Sequence, residues 1–352
     1  MIQTQAALAD LATRIAATDR VAVDTEADSL HCYHEKVCLV QVGLPGADEL
    51  VDPLAGLDLS PLLHALARTE LVMHGADFDL RMLYRLGLGT PSKVFDTMIA
   101  ARLAGAMRYG YAALVDEHFD VTLPKGQQKA NWAQRPLGPA LSRYARNDTH
   151  YLLPLAERFE RRLTELDRLE WLEQACRRAV DAARVTRQRD PETEWRVRGS
   201  HVLGARASAV LRALWHWRDN EARGVDRPPF HILSNSDLVD AARRFDGGET
   251  TPPRGLRGAR RTRFTQAADE ALALDQAEWP RRPAGGERPR LTKSQEKRVA
   301  GLRQRRDARA RDLAIDAELI APRAALERIA VEGDDGLAAL LPWQQSLLGR
   351  PD

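Results

Sequence analysis

The sequence predicts an α/β domain followed by two small all-α modules, and three observations carry that reading. Short apolar strands crowd residues 21–74 and then alternate with helical patterns, as in a sheet flanked by helices. After Pro191 the strand signals stop and amphipathic helices take over. Two segments rich in Gly, Pro and Arg, 246–263 and 280–290, then divide the helical part. At 352 residues the chain is longer than one core usually supports, so several domains are expected.

Val21, Ala22 and Val23 open a strand that runs into carboxylates, and residues 37–42 form a second strand ended by the turn at Gly43 to Gly46. Residues 49–51 and 71–74 read as short strands, with a helix over 61–68 between them. From Asp77 the spacing of Phe78, Leu80, Met82, Leu83 and Leu86 is helical, and Gly87 ends it. Residues 139–162 read as one long helix and 163–189 as a charged helical connector. In 203–223 the apolar positions are Leu203, Val210, Leu211, Leu214, Trp215 and Trp217. Pro228 and Pro229 break that helix, and another runs from Ser236 to Arg244. Residues 291–349 are helical again, closing on Leu340, Leu341, Trp343 and Leu347. The resulting limits are 1–165 for the α/β domain, 166–195 for the connector, 200–280 and 289–352 for the two modules. These modules are similar in size, without a strict short repeat.

Composition narrows the classes. Hydrophobic residues make up 44% and charged residues 29%, ordinary for a globular protein. The net charge of +2 hides an asymmetry: residues 1–160 carry 15 Lys/Arg against 20 Asp/Glu, and residues 161–352 carry 37 against 30. An acidic first half joined to a basic second half suits a catalytic domain coupled to a polyanion-binding portion. Cys32, Cys38 and Cys176 form no Cys-x-x-Cys pair, which argues against a disulfide framework and a zinc site. Residues 1–20 lack a basic segment followed by an apolar stretch, and no run nears the roughly 18 apolar residues of a membrane span. The expected setting is the reducing cytoplasm, with no membrane partner.

The chemistry concentrates in three acidic motifs. Asp24 and Glu26, in VAVDTEAD, are two apart on a strand, so both point to one face while Thr25 points to the other. Asp79, in MHGADFDLRML, lies in the first turn of a helix, where the helix dipole also favours a carboxylate. Tyr144 and Asp148, in LSRYARNDTHYLLPL, are four apart and share one helix face. Singly, each motif also fits exposed strand carboxylates, a capping acid or a surface pair. Together, gathered carboxylates repel unless a cation sits among them, and hard oxygen donors favour Mg²⁺ or Mn²⁺. Two such ions side by side suit in-line displacement at phosphorus.

The order and separation of these motifs resemble the DEDD exonuclease superfamily, and the tyrosine four before the last aspartate points to its DEDDy branch and the ribonuclease D family. VAVDTEAD with VCLVQVG is similar to the first exonuclease motif, HGADFDLRML to the second and YARNDTHYLL to the third. QKANWAQRPL is similar to a segment that precedes the third motif in these enzymes. Arg146 and Asn147 stand where many bacterial relatives have small residues. VLRALWHWRDNEARGVDRPPFHILSNSDLVDAAR resembles an HRDC domain, and residues 291–349, through RDLAIDAELIAPRAALERIA and WQQSLLG, resemble a second, weaker one.

The resemblance implies a ribonuclease H-like exonuclease domain with a mixed sheet, followed by HRDC-type modules. It implies a 3′→5′ exoribonuclease, releasing nucleoside 5′-monophosphates with two divalent metal ions, Mg²⁺ or Mn²⁺. Asp24, Glu26 and Asp148 would hold one ion, Asp24 bridging to a second that Asp79 would reach, while Tyr144 orients the attacking water. The implied partners are RNA, namely transfer RNA precursors and small structured RNAs, with the chain acting as a monomer. A DNA 3′→5′ exonuclease uses the same core, although no GxxxxGK[ST] loop accompanies it here. A non-catalytic RNA-binding protein on the same fold is the third reading, against which stands the presence of all five motif residues.

Around the third motif Lys125, Lys129, Arg135, Arg143 and Arg146 are candidates for phosphate contact. Trp132 is a candidate base-stacking platform or a packed anchor. Of these, Lys129, Trp132, Arg135 and Arg146 are the substrate-binding set. His74 and His150 flank the motifs with no Cys or His partner for zinc. Residues 281–311, with 12 Lys/Arg and 3 Asp/Glu, are a candidate for sequence-independent phosphate binding.

Overall fold

Strand β1 (Arg20–Ala27) lies at the centre of a five-stranded sheet because both its faces are apolar until the carboxylates begin. In the computed structural model the chain order is α1 (Gln5–Ala16), β1, β2 (Val37–Leu44), β3 (Ala47–Val51), α2 (Ser60–Arg68), β4 (Glu70–Met73), α3 (Asp77–Arg85) and β5 (Lys93–Asp96). Helices α4 (Thr97–Leu103), α5 (Tyr111–Phe119), α6 (Pro139–His150), α7 (Leu152–Glu165), α8 (Leu169–Arg184) and α9 (Pro191–Glu194) follow. The chain continues through α10 (Ala205–Gly224), α11 (Pro229–Ile232), α12 (Asn235–Asp246) and α13 (Gly258–Leu272). It ends with α14 (Lys293–Leu313), α15 (Ala317–Ile320), α16 (Arg323–Glu332), α17 (Asp334–Ala338) and α18 (Pro342–Leu348). The structure describes residues 1–124, 126–185, 190–281 and 291–349.

The strand order is β3-β2-β1-β4-β5, antiparallel from β3 to β1 and parallel from β1 to β5. This is the expected mixed sheet. Side chains alternate between its faces. Val21, Val23, Leu71, Met73 and Val94 point to a core shared with Leu8, Leu11 and Ile15 of α1, Leu62 and Leu66 of α2, and Leu80 and Leu83 of α3. Ala22, Val72 and Phe95 point the other way, to Ala100 of α4, Leu114 of α5, and Leu155 and Phe159 of α7.

Several elements depart from the sequence expectation. The long helix over 139–162 is two helices that meet at Tyr151. Pro154 explains the break, since it has no N–H for the carbonyl of residue 150 and its ring crowds that carbonyl. Strand β5 and helices α1, α4 and α5 were not anticipated. Residues 258–263, expected as linker, form the first turns of α13. Two of their three arginines are fastened: Arg260 and Arg263 both pair with Glu221, at 3.1 and 2.6 Å, which docks α13 on α10.

Two units divide the chain: residues 1–27, 37–186 and 290–352 form one, and 28–36 with 187–289 the other. In the first unit the helices after 291 share a core with the sheet domain. Leu302, Ile320, Leu326 and Ile329 join the cluster of Phe159 and Leu163, and Trp343 stacks on Trp171 with ring centroids 4.7 Å apart. Gly105, with a φ of 91°, packs so close to the turn after α14 that a Cβ there would lie 2.6 Å from the Ala314 carbonyl oxygen. The connector expected over 166–195 contributes α8 to the same unit, where Val180 and Ala183 face the first core and Leu172 and Cys176 the second. The second unit is built around Trp195, Val210, Leu214, Trp217, Phe245 and Phe264.

Candidate active site

Asp24, Glu26 and Asp148 meet: one carboxylate oxygen from each lies within 4.8 Å of the other two. The strand places the first two on one face, as their spacing of two requires. Asp148 arrives on α6, which packs across β1, β2 and β3. The close approach depends on Gly43, where a Cβ would lie 3.0 Å from the Ala22 Cβ and 3.2 Å from the Thr149 carbonyl oxygen. Tyr111 fixes the end of α6 by donating its hydroxyl to the Asn147 carbonyl at 2.7 Å and accepting from the Tyr151 N–H at 3.2 Å.

Asp79 comes from the opposite face of the sheet. It is 5% exposed, and its Oδ1 accepts from both the N–H and the hydroxyl of Thr25, at 3.0 and 2.6 Å. Thr25, between the two strand carboxylates, thus couples the second motif to the first. The turn before α3 is held by Asp96, which accepts from the N–H groups of Gly75 and Ala76 at 3.0 and 2.8 Å while also capping α4. Gln41, directly across from Asp24 on β2, donates to its Oδ2 at 3.2 Å. Thr25, Gln41, Asp96 and Tyr111 were not picked out from sequence, and only the alternation of Thr25 hinted at any of them.

The electrostatics are those of carboxylates packed together. Burial, then repulsion from Asp79, Asp148 and Glu26, holds Asp24 well above the usual carboxylate range. Burial and its neighbours Asp148 and Asp79 push Glu26 up to about 9, and burial and Asp79 push Asp148 up to about 7. Asp79 rises to about 6 through burial, against the lowering effect of the two Thr25 hydrogen bonds. Tyr144 also rises above the usual phenol value, through burial and then the charges of Asp148, Glu26 and Asp24. An all-oxygen donor set whose members resist ionisation together fits a hard divalent cation, which would remove the repulsion.

The substrate-binding expectations fare unevenly. Trp132 is corrected to a packed anchor: it is 1% exposed among Cys38, Leu39, Leu50 and Ala145, with its ring centroid 6.1 Å from that of Tyr144. A ring so enclosed offers no face to a base. Arg135 is corrected to a structural tie. Its guanidinium donates to Asp52 at 2.6 and 2.7 Å and to the carbonyls of Cys38, Trp132 and Gln134. Lys129 and Arg143 are exposed and Arg146 is half-buried. Lys125, and residues 282–290 of the basic stretch, lie outside the described residues. His74 is held by Thr97 at 2.9 Å and His150 by Asp48 at 2.6 Å. Among the described residues no helix is long and apolar enough to cross a membrane.

The family model for 3′-5′ exonucleases matches residues 1–164, and that for the HRDC domain matches residues 207–245. A ribonuclease D of Sphingobium indicum is 33% identical, over 99% of this chain and 92% of its own length. One of Gluconacetobacter diazotrophicus is 32% identical over 99% and 90%. Among solved structures, Escherichia coli RNase D, described as an exoribonuclease involved in structured RNA processing, has a TM-score of 0.68 at 26% identity, covering 94% of this chain and 89% of that one. A protein from Bifidobacterium adolescentis has a TM-score of 0.83 at 24% identity, covering 99% and 94%, and so shares the fold. With relatives at 33% and 32% identity aligned over nearly its whole length, the chain belongs to the ribonuclease D family.

Proposed function

We propose that the chain hydrolyses RNA from the 3′ end, releasing nucleoside 5′-monophosphates, with Asp24, Glu26, Asp79, Tyr144 and Asp148 as its catalytic set. The observation that carries this reading is the convergence of Asp24, Glu26 and Asp148 within 4.8 Å, with Tyr144 one helical turn before Asp148. Asp24, Glu26 and Asp148 would hold one Mg²⁺ or Mn²⁺, and Asp24 and Asp79 a second. When bound, such cations lower the pKa of the attacking water and neutralise charge on the phosphoryl and leaving oxygens.

The chain's own groups supply the rest. Thr25 keeps Asp79 aimed by two hydrogen bonds, and Gln41 steadies Asp24. Burial and the neighbouring carboxylates hold the Tyr144 phenol above its usual pKa in the metal-free chain, and an unshifted phenol is already protonated at neutral pH. It therefore orients the water and donates a hydrogen bond, in place of acting as the general base. Trp132, packed behind Tyr144, limits the positions that the phenol ring can adopt. Lys129 and Arg146 are the remaining candidates for phosphate contact. Transfer RNA precursors and small stable RNAs are the proposed substrates, with the helical modules adding phosphate contacts.

Chromatography of the products of a homogeneous RNA incubated with Mg²⁺ or Mn²⁺ tests this. The reading expects nucleoside 5′-monophosphates from RNA, no products in EDTA, and slower release from matched DNA. Faster release from DNA would transfer the activity to DNA, and nucleoside 3′-phosphates would refute the mechanism.

A further inference from the structure

Residues 28–36 leave β1 directly after its carboxylates and return at the head of β2, yet they belong to the second unit. Hydrogen bonds fix this segment at base and tip. At the base Asp28, 1% exposed, accepts from the Lys36 N–H at 2.8 Å and pairs with Lys36 Nζ at 2.8 Å. Its carbonyl accepts from the N–H groups of His31 and Cys32. At the tip the N–H groups of Tyr33 and His34 both donate to Oδ1 of Asp226, at 3.0 and 3.1 Å. The Tyr33 hydroxyl donates to Asp219 at 2.8 Å, and Arg223, paired with Asp219 at 3.0 Å, lies over the Tyr33 ring. Asp226 follows α10 in a left-handed conformation, φ 45°, that the Asp side chain tolerates.

The C-terminal module repeats this construction at one fixed offset along the sequence. In each, a buried arginine of the long helix, Arg218 or Arg306, donates to a carbonyl 15 residues on, that of Leu233 or Ala321. Each arginine is followed by an aspartate, Asp219 or Asp307. Eight residues after that arginine, just past each long helix, stands a left-handed non-glycine residue, Asp226 or Ala314. In the C-terminal module that turn is held within the first unit: Arg168 donates to the carbonyls of Leu313 and Leu103 at 2.8 and 2.7 Å, and Gly105 abuts Ala314. In both modules, then, the turn after the long helix is the gripping element.

The end of β1 needs such a hold, because the β1–β2 ladder shifts register between Glu26 and Ala27. The geometry points to Asp226 as a positioning residue for the metal-binding strand. It fixes residues 28–36 and, through Asp28, the end of β1 on which Glu26 stands. This inference rests on the hydrolytic reading of the carboxylate site, and it adds a role for the helical module other than holding RNA.

The test uses the full chain with Asp226→Ala and, as the conservative variant, Asp226→Asn. Three quantities are read: amide exchange at Tyr33 and His34, Mg²⁺ affinity by calorimetry, and hydrolysis of a dinucleotide, whose single phosphodiester leaves no RNA to lie beyond the cleavage site. In Asp226→Ala the two amides lose protection, and Mg²⁺ affinity and the dinucleotide kcat each fall about ten-fold with KM little changed. Asp226→Asn, whose amide oxygen still accepts both N–H groups, restores all three. Unchanged Mg²⁺ affinity and dinucleotide kcat in Asp226→Ala, with any loss confined to KM for long RNA, would overturn the inference, as would amides that stay protected. If the unsubstituted chain cleaves neither the dinucleotide nor a longer RNA, the hydrolytic reading fails instead, and the Mg²⁺ titration alone decides the role of Asp226; if it cleaves only the longer RNA, the Mg²⁺ titration and the amide exchange decide it.

Discussion

Thr25 and Asp79 are joined twice: the Thr25 hydroxyl lies 2.6 Å from Asp79 Oδ1 and its N–H 3.0 Å from the same oxygen. The strand residue between two carboxylates thus fastens a third from the far side of the sheet. Thr25→Val keeps the shape and removes the hydroxyl. It is expected to lower kcat roughly ten-fold, as loss of a partner behind a metal ligand does, and stability by about 1–2 kcal/mol. Steady-state kinetics and urea unfolding measure both. An unchanged kcat would show that the backbone N–H alone aims Asp79.

The carboxylate cluster makes cation binding and pH interdependent. A carboxyl group whose pKa is higher in the folded state contributes stability below its unfolded pKa and loses it as pH rises through the folded value. Glu26 is raised from 4.5 to about 9, and Asp148 from 3.8 to about 7. The metal-free protein therefore loses stability between roughly pH 4 and pH 9. A divalent cation that binds only the folded state offsets this loss, most strongly at the alkaline end. Thermal unfolding in EDTA and in Mg²⁺, from pH 5.5 to 8.5, is expected to show a gap in Tm that widens with pH. A gap that stays constant or narrows would mean that the cation binds elsewhere.

Tyr144→Phe removes only the hydroxyl. The account expects kcat to fall about a hundred-fold, with KM and Mg²⁺ affinity nearly unchanged, because the carboxylates keep their places. With Tyr144 orienting the water as a protonated phenol, the unsubstituted chain's kcat is expected to gain no rising limb from its ionisation. Kinetics of the two proteins from pH 6 to 9 check both points.

Arg135→Lys keeps the positive charge and loses the fork on Asp52. A tie of this kind predicts a stability loss of about 3 kcal/mol and an RNA KM within two-fold of the unsubstituted chain. A raised KM with unaltered stability would return Arg135 to the substrate.

How much was legible in the sequence follows from the range of the interactions. Alternation along β1 and the four-residue spacing on α6 are local periodicities. They showed which of Asp24, Glu26, Tyr144 and Asp148 share a face, and the structure brings the three carboxylates together. The expected sheet and the helical modules rest on the same periodicities. What local pattern cannot carry is the partner across the fold. Asp79 meeting Thr25, Trp132 closed over by Leu39 and Leu50, and Trp343 stacked on Trp171 all depend on distant segments. Arg135 looked like a phosphate ligand because its charge was visible and Asp52, far back in the chain, was not. The break at Tyr151 was present in the sequence as Pro154, outweighed there by the apolar periodicity around it.

The most direct test of the central claim is a gel time course on 5′-labelled RNA with Mg²⁺, comparing the unsubstituted chain with Asp24→Asn. The account predicts a ladder that shortens one nucleotide at a time from the 3′ end, abolished by EDTA and by the substitution, while Asp24→Asn still binds the RNA. An intact band under Mg²⁺ and Mn²⁺ alike, or cleavage that Asp24→Asn leaves unchanged, would contradict it.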